Sequence, residues 1–195
     1  MHMLRHRRFA ARRFWLGVVG AVLASGLAAR AEPGPSLEHH VKAAFLYNFA
    51  KFVDWPTNAL ASADAPFVIA VLGDESLAQV LEQTVKGKSI GNRVIQTRRI
   101  TDETRIGPCQ ILFVARSKAR QTAQVLAALG RANVLLVGES PGFLTAGGAI
   151  CFTNPEGQVR FEVNTAAAER AGLKISSKLL RVATSVTSTP RRATE

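Results

Sequence analysis

His39 and His40 are the first residues to question, because imidazole is the side chain best suited to move protons or hold a metal near neutral pH. The chain has four histidines, and the other two, His2 and His6, sit in a basic leader. Adjacent helical residues point about 100° apart, so the pair cannot close on one ion as an i, i+4 pair does. Neither is brought by local sequence to Cys109 or to a serine, as a nucleophile and its base require. Asp74-Glu75, Asp102-Glu103 and Glu162 read as loop or strand-face charges. Lys86-Gly87-Lys88-Ser89 carries the GKS of a phosphate loop. Glu82 stands where that pattern needs glycine, and a strand is expected to follow where it needs a helix. Gly147-Gly148 lacks the further spaced glycine of a dinucleotide fingerprint and reads as a tight turn. Cys109 and Cys151 are the two cysteines, with no C-x-x-C between them. The chemistry-bearing residues therefore argue against an enzyme, and no metal or cofactor is expected.

The leader reads as an address. MHMLRHRRFAARRF holds five arginines and no acid, Phe14–Leu27 is apolar, and Ala29-Arg30-Ala31 follows. A basic start, a short apolar stretch and an A-x-A exit make a signal peptide; the run falls short of the ~20 residues a membrane span needs. Residues 1–31 are expected to be removed after Ala31, leaving a periplasmic protein; the route, general secretion or twin-arginine, stays open. The whole chain carries 25 basic and 14 acidic residues, a net charge of +11. Six of the basic residues belong to the leader, so the remainder carries 19 against 14, or +5. Arg98-Arg99 and Arg191-Arg192, its densest basic spots, are not interleaved with aromatics, which argues against a nucleic-acid surface.

Positions along the remaining chain alternate between two periodicities. Ser36 is a good N-cap for a helix over Leu37–Val53, stopped by Trp55-Pro56. Leu37, Val41, Ala44, Phe45, Asn48, Phe49 and Phe52 share one face, and Ala43, Leu46, Ala50 and Val53 widen it. Only His40, Tyr47, Lys51 and Asp54 make a polar stripe, so the helix reads as buried, with Tyr47 and Lys51 free to meet a partner. Phe67–Leu72, Cys109–Ala115 and Val134–Val137 read as strands buried on both faces, Arg93–Ile100 as a more exposed one. Helices are expected around Leu77–Val85 and over Ala119–Leu129. Ala149–Thr153 and Val159–Asn164 flank a turn at Asn154-Pro155-Glu156-Gly157 and form a hairpin. Helices over Thr165–Ala171 and Ser176–Val186 complete one domain, 32–187, before a disordered tail, 188–195. The class is α/β: a three-layer sandwich whose mostly parallel sheet is flanked by helices, with a C-terminal antiparallel hairpin. Arg170, Lys174, Lys178 and Arg181 lie three or four apart and are expected to form a basic stripe for a partner. Cys109 and Cys151 are expected to stay free, because the Val134–Val137 strand lies between theirs and a disulfide needs Cα atoms within ~7 Å.

VKAAFLYNFAKFVDWP (41–56), VIAVLG (68–73), CQILFVARS (109–117), GFLTAGGAICF (142–152) and VRFEVNTAAAERAGLKISSKLLRVA (159–183) together resemble the YfiR family. The resemblance spans nearly the whole chain beyond the leader. It implies a periplasmic α/β protein, often a homodimer, that represses a membrane-bound diguanylate cyclase by binding its periplasmic domain. Repression lowers cyclic di-GMP signalling and restrains biofilm formation, and an outer-membrane lipoprotein relieves it by sequestering the repressor. Redox-responsive relatives carry a first-strand cysteine near the position of Ala70, paired with one matching Cys109, and Cys151 stands where the family usually has Asn. Ala70 removes that bridge here. A second reading is a periplasmic small-ligand binding module, its pocket near Gly73, Ser117 and Gly138 at the strand ends and lined by Tyr47 or Trp55.

Overall fold

Capping and apolar burial fix where the first helix begins and which side it hides. The structure, a computed structural model, describes residues 36–59, 62 and 64–188. The expected leader with its cleavage after Ala31, and the tail beyond Ser188, lie outside the described residues. Helix α1 (Leu37–Phe52) is capped by Ser36, whose hydroxyl accepts from the His39 N–H at 3.4 Å while the Ser36 N–H donates to His39 Nδ1 at 2.9 Å. His39 thus does the work that Glu or Gln does in the usual capping box. The helix buries Lys42, Ala43, Leu46, Phe49 and Ala50, whereas Leu37 is 81% exposed and Ala44 is exposed. The face expected from Leu37, Val41 and Ala44 is therefore rotated. A helix apolar around most of its circumference leaves the choice of face to whatever packs on it.

Among the described residues, ten strands and five further helices follow in an α/β order, eight of the strands in one sheet and two in a separate short ladder. They are β1 (Val53–Asp54), β2 (Phe67–Leu72), α2 (Glu75–Val85), β3 (Ser89–Ile90), β4 (Arg93–Ile100), β5 (Ile111–Val114) and α3 (Thr122–Leu129). Then come β6 (Leu135–Gly138), α4 (Phe143–Ala146), β7 (Ile150–Thr153), β8 (Arg160–Asn164), α5 (Thr165–Arg170), β9 (Lys174–Ile175), α6 (Ser177–Leu180) and β10 (Ser185–Thr187). The eight-stranded sheet runs β10-β8-β7-β6-β5-β2-β4-β3. From β4 through β7 all pairs are parallel. In that stretch the chain order reads 2-1-3-4-5, a doubly wound arrangement whose direction of winding reverses between β2 and β5. The β7–β8 hairpin is antiparallel, with Phe152 opposite Phe161, as its alternation requires.

One face of the sheet carries the larger core, in which α1 and α2 set Phe49, Leu46, Leu77 and Leu81 against Phe67, Ile69, Phe113 and Phe161. Phe45, Phe49, Phe152 and Phe161 pack ring on ring with centroids 5.1–6.1 Å apart. The other face carries a smaller core, where α3 and α4 bring Val125 and Phe143 onto Leu72, Leu112, Val114 and Leu136. The expected three layers are present.

The C-terminus corrects the sequence reading. A helix over Ser176–Val186 is expected, but α6 ends at Leu180 and the chain adds β10 to the sheet edge, parallel to β8, with Ser185 opposite Glu162. Thr184-Ser185-Val186-Thr187-Ser188 is rich in β-branched and hydroxyl side chains that disfavour helix, and β8 offers an unpaired edge. The β1–β9 ladder also escapes local reading: Val53 pairs with Ile175 and Asp54 with Lys174, 122 and 120 positions apart in the chain.

Candidate functional site

Ligand crevices in doubly wound sheets open at the carboxyl ends of the strands, where the winding reverses. Here that position lies between Gly73-Asp74, after β2, and Arg116-Ser117, after β5. It is filled by the chain itself. Ser117 Oγ donates to the Gly73 carbonyl at 2.9 Å. Gly73 has φ +83°, and a Cβ there would meet Lys118 Cγ at 2.5 Å and Ser117 Oγ at 2.8 Å. The amino-terminal half of α1 covers the neighbouring strand ends. His39 Nε2 lies 3.5 Å from Asp74, and the Lys42 ammonium, 6% exposed, sits 2.5 Å from Glu139 and beside Glu38. Asn154 donates to Glu38 at 3.0 Å, and the Arg116 N–H to Glu139 at 2.8 Å.

Electrostatics explain why a lysine tolerates that depth. Burial alone pulls the Lys42 pKa down, but hydrogen bonds and charge from Glu139 and Glu38 outweigh it and hold the pKa above the ordinary lysine range. In return, the hydrogen bond from Lys42 holds Glu38 below the usual carboxylate range. Residues 38 and 42 form an i, i+4 pair legible in the sequence; Glu139, 97 residues on, is not.

A groove of about 1050 Å³ opens beside this network, past β6. Its floor is the polar face of β7, β8 and β10, presenting Cys151, Glu162, Asn164 and Thr187, and Arg116 and Arg170 stand at its rim. The groove exists because α4, four residues long, is a slight cover for this end of the sheet. Phe143 wedges α4 down: a Cβ on Gly138 would lie 2.4 Å from its ring and one on Gly148 2.2 Å. Gly147, at φ +116°, makes the tight turn the sequence predicts. Among the described residues, neither Arg116, Arg170 nor Glu162 has an ion-pair partner. Burial, then Glu162 and Glu139, push the Cys151 thiol up to about 11. A thiol so disposed is a poor nucleophile at neutral pH, and the charged side chains Arg116, Arg170 and Glu162 stand beside it in the groove. Burial raises Cys109 further, to about 12.

The six residues expected to meet a partner fall into two places. Tyr47, half-buried, has the Lys51 ammonium 5.5 Å and the Lys88 ammonium 4.4 Å from its ring centre. The β1–β9 ladder and the bond from Ser176 N–H to the Phe52 carbonyl, 2.9 Å, bring Lys174 and Lys178 to the same end of α1. Arg170, at the end of α5, faces the groove instead. Arg170, Lys174, Lys178 and Arg181 are all exposed, but they lie on a helix end, a strand, a four-residue helix and its C-cap, so the expected helical stripe does not form. Tyr47 and Trp55 do not line the groove.

Fold and edge define a doubly wound α/β domain with a charged groove next to its point of reversal. Residues 39–184 match the YfiR/HmsC-like family, and the chain belongs to it. Among curated proteins, none matches the chain. Two solved structures are similar in part. One is a conserved domain protein from Vibrio cholerae O1 biovar El Tor strain N16961, 13% identical, with a TM-score of 0.46 over 62% of this chain and 54% of that one. The other is the ABC domain in complex with L-Trp from Streptococcus pneumoniae, 11% identical, with a TM-score of 0.46 over 62% and 55%. The chain spans about half the length of either. No described helix is long and apolar enough to cross a membrane.

Proposed function

We propose that this protein is a periplasmic regulatory binding protein that represses a membrane-bound diguanylate cyclase by docking on its periplasmic domain. Cyclic di-GMP signalling falls as a result, and biofilm formation is restrained. Family membership over residues 39–184 carries the reading. The groove supports it, since Arg116, Arg170 and Glu162, which line it, have no ion-pair partner among the described residues and suit a polar protein surface. An outer-membrane lipoprotein that sequesters the repressor, and a homodimer, belong to the same reading. The domain carries no catalytic role in it, and residues 1–31 serve export and are cut off after Ala31.

The test is co-elution of the processed protein with the periplasmic domain of its candidate cyclase, with cyclic di-GMP measured in cells. Arg170→Glu is expected to abolish co-elution and raise cyclic di-GMP at unchanged thermal stability, whereas Lys178→Glu, at the far site, leaves co-elution of the two soluble domains intact. Unchanged cyclic di-GMP in the Arg170→Glu, Lys178→Glu double variant would sink the repressor reading. The groove's volume also suits a small ligand, the second reading; a metabolite that raises the melting temperature of wild type but not of Glu162→Lys, with no cyclase bound, would favour it.

A further inference from the structure

The end of α1 opposite the groove has a composition that regulation by the groove leaves unused. Tyr47, Phe52 and Trp55 are each half-buried there, with one side open to solvent. Around them stand Lys51, whose ammonium is 5.5 Å from the Tyr47 ring centre and 6.0 Å from that of Phe52, and Lys88, 4.4 Å from Tyr47. The β1–β9 ladder adds Lys174, and α6, tied to Phe52 through Ser176, adds Lys178. All four lysines are exposed, and none has a described carboxylate within 4.0 Å; Asp54 stands opposite Lys174 in the ladder without pairing to it. The carboxylates of the large network, Glu38, Asp74 and Glu139, lie at the other end of α1.

The geometry points to a docking surface for an anionic phospholipid bilayer. Half-buried aromatics with lysines around them suit the headgroup layer, where amphipathic rings sit and ammonium groups reach phosphate. The choice of lipid over an acidic protein rests on the cation. Protein interfaces favour arginine, whose planar fork matches a carboxylate, and are depleted in lysine; the cations over the Tyr47 ring, Lys51 and Lys88, and the one in the β1–β9 ladder, Lys174, are lysines, with Arg181 beyond them at the end of α6. Flexible point charges suit a fluid layer of anions that offers no fixed geometry. The contact is independent of the repressor reading, and would hold the groove side away from the bilayer, towards the periplasm.

The experiment uses the processed protein recovered from the periplasm and flotation with vesicles of phosphatidylcholine, with and without phosphatidylglycerol. Trp55 is the tryptophan outside the leader, the other being Trp15, so its emission reports contact. Binding is expected only with phosphatidylglycerol, with a blue shift of Trp55, and it weakens steeply as salt rises. Each lysine neutralised lowers partitioning about fivefold, from roughly 1 kcal/mol per charge, so Lys51→Gln, Lys88→Gln, Lys174→Gln and Lys178→Gln combined leave no measurable binding. A matched variant, Arg105→Gln, Arg120→Gln, Arg131→Gln and Arg160→Gln, retains most of it. No flotation by wild type, or equal loss in the two folded variants, overturns the proposal. So does loss of co-elution with a cyclase domain in the lysine variant when vesicles are ignored, which makes the surface a protein contact.

Discussion

Lys42 ties α1 to the carboxyl edge, and its removal tests how much that tie contributes. With Glu139 left partly buried and lacking its cation, Lys42→Met is expected to cost about 3 kcal/mol, the low end for breaking a buried pair, because the Arg116 N–H still supports Glu139. Chemical denaturation checks it, and Lys42→Met with Glu139→Gln should recover most of the loss. The pH dependence has a definite sign. Glu38 is held below its usual 4.5, so its pairing stabilises fully above about pH 4.5 and is lost as pH falls further; Lys42→Met flattens that acid limb. Cys109 has the opposite sign. Its thiol rises from 9.0 to about 12, so the folded state is favoured fully below about pH 9 and loses that advantage as pH climbs towards 12. Melting temperatures across that range should fall less in Cys109→Ala than in wild type.

At the scale of elements, α4 stays in place because two glycines leave room for one ring. Gly148→Ala would put a methyl 2.2 Å from Phe143, and the ring must leave its pocket against Leu136 and Val114. We expect a loss of about 2–3 kcal/mol, in the range for overpacking, and partial rescue by Phe143→Leu, measured by thermal denaturation. Elements whose signal is local are legible in the sequence: β2 has the bounds Phe67–Leu72 of its apolar run, β4 the bounds Arg93–Ile100 of its alternation, and the β7–β8 hairpin follows from its turn. Where the signal is shared with a distant partner, reading stops. Val182–Thr187 has weak helix propensity, yet nothing local says it must join β8; α1 is apolar enough that Leu37 and Ala43 look equally suited to burial, although one is 81% exposed and the other 0%.

For the whole molecule, strand order decides what the cysteines can do. Cys151 is level with Gly138 and Val114 across two strand steps, and Cys109 lies five residues before Val114. Steps of about 4.8 Å and a rise of about 3.3 Å per residue put them roughly 19 Å apart, beyond any disulfide. Peptide mapping of the processed protein, alkylated without reduction, should yield no Cys109–Cys151 linked peptide, and labelling at pH 8 should require denaturant, since both thiols are buried. Strand order also splits the expected partner surface. Arg170 goes to the groove, while a ladder closed over more than a hundred residues sets Lys174 opposite Asp54, just past the end of α1 that carries Lys51.

By itself, the sequence settled the α/β class, most strand positions, the hairpin and the family, because periodicity, caps and turns act over a few residues and survive without tertiary context. Tertiary structure alone settled which side of α1 is hidden, that Lys42 is buried between two carboxylates, that the reversal crevice is plugged by Ser117 and Lys118, and that a groove opens past β6. Each of these depends on groups tens of residues apart meeting across a sheet, and such a meeting is fixed by packing the whole chain at once.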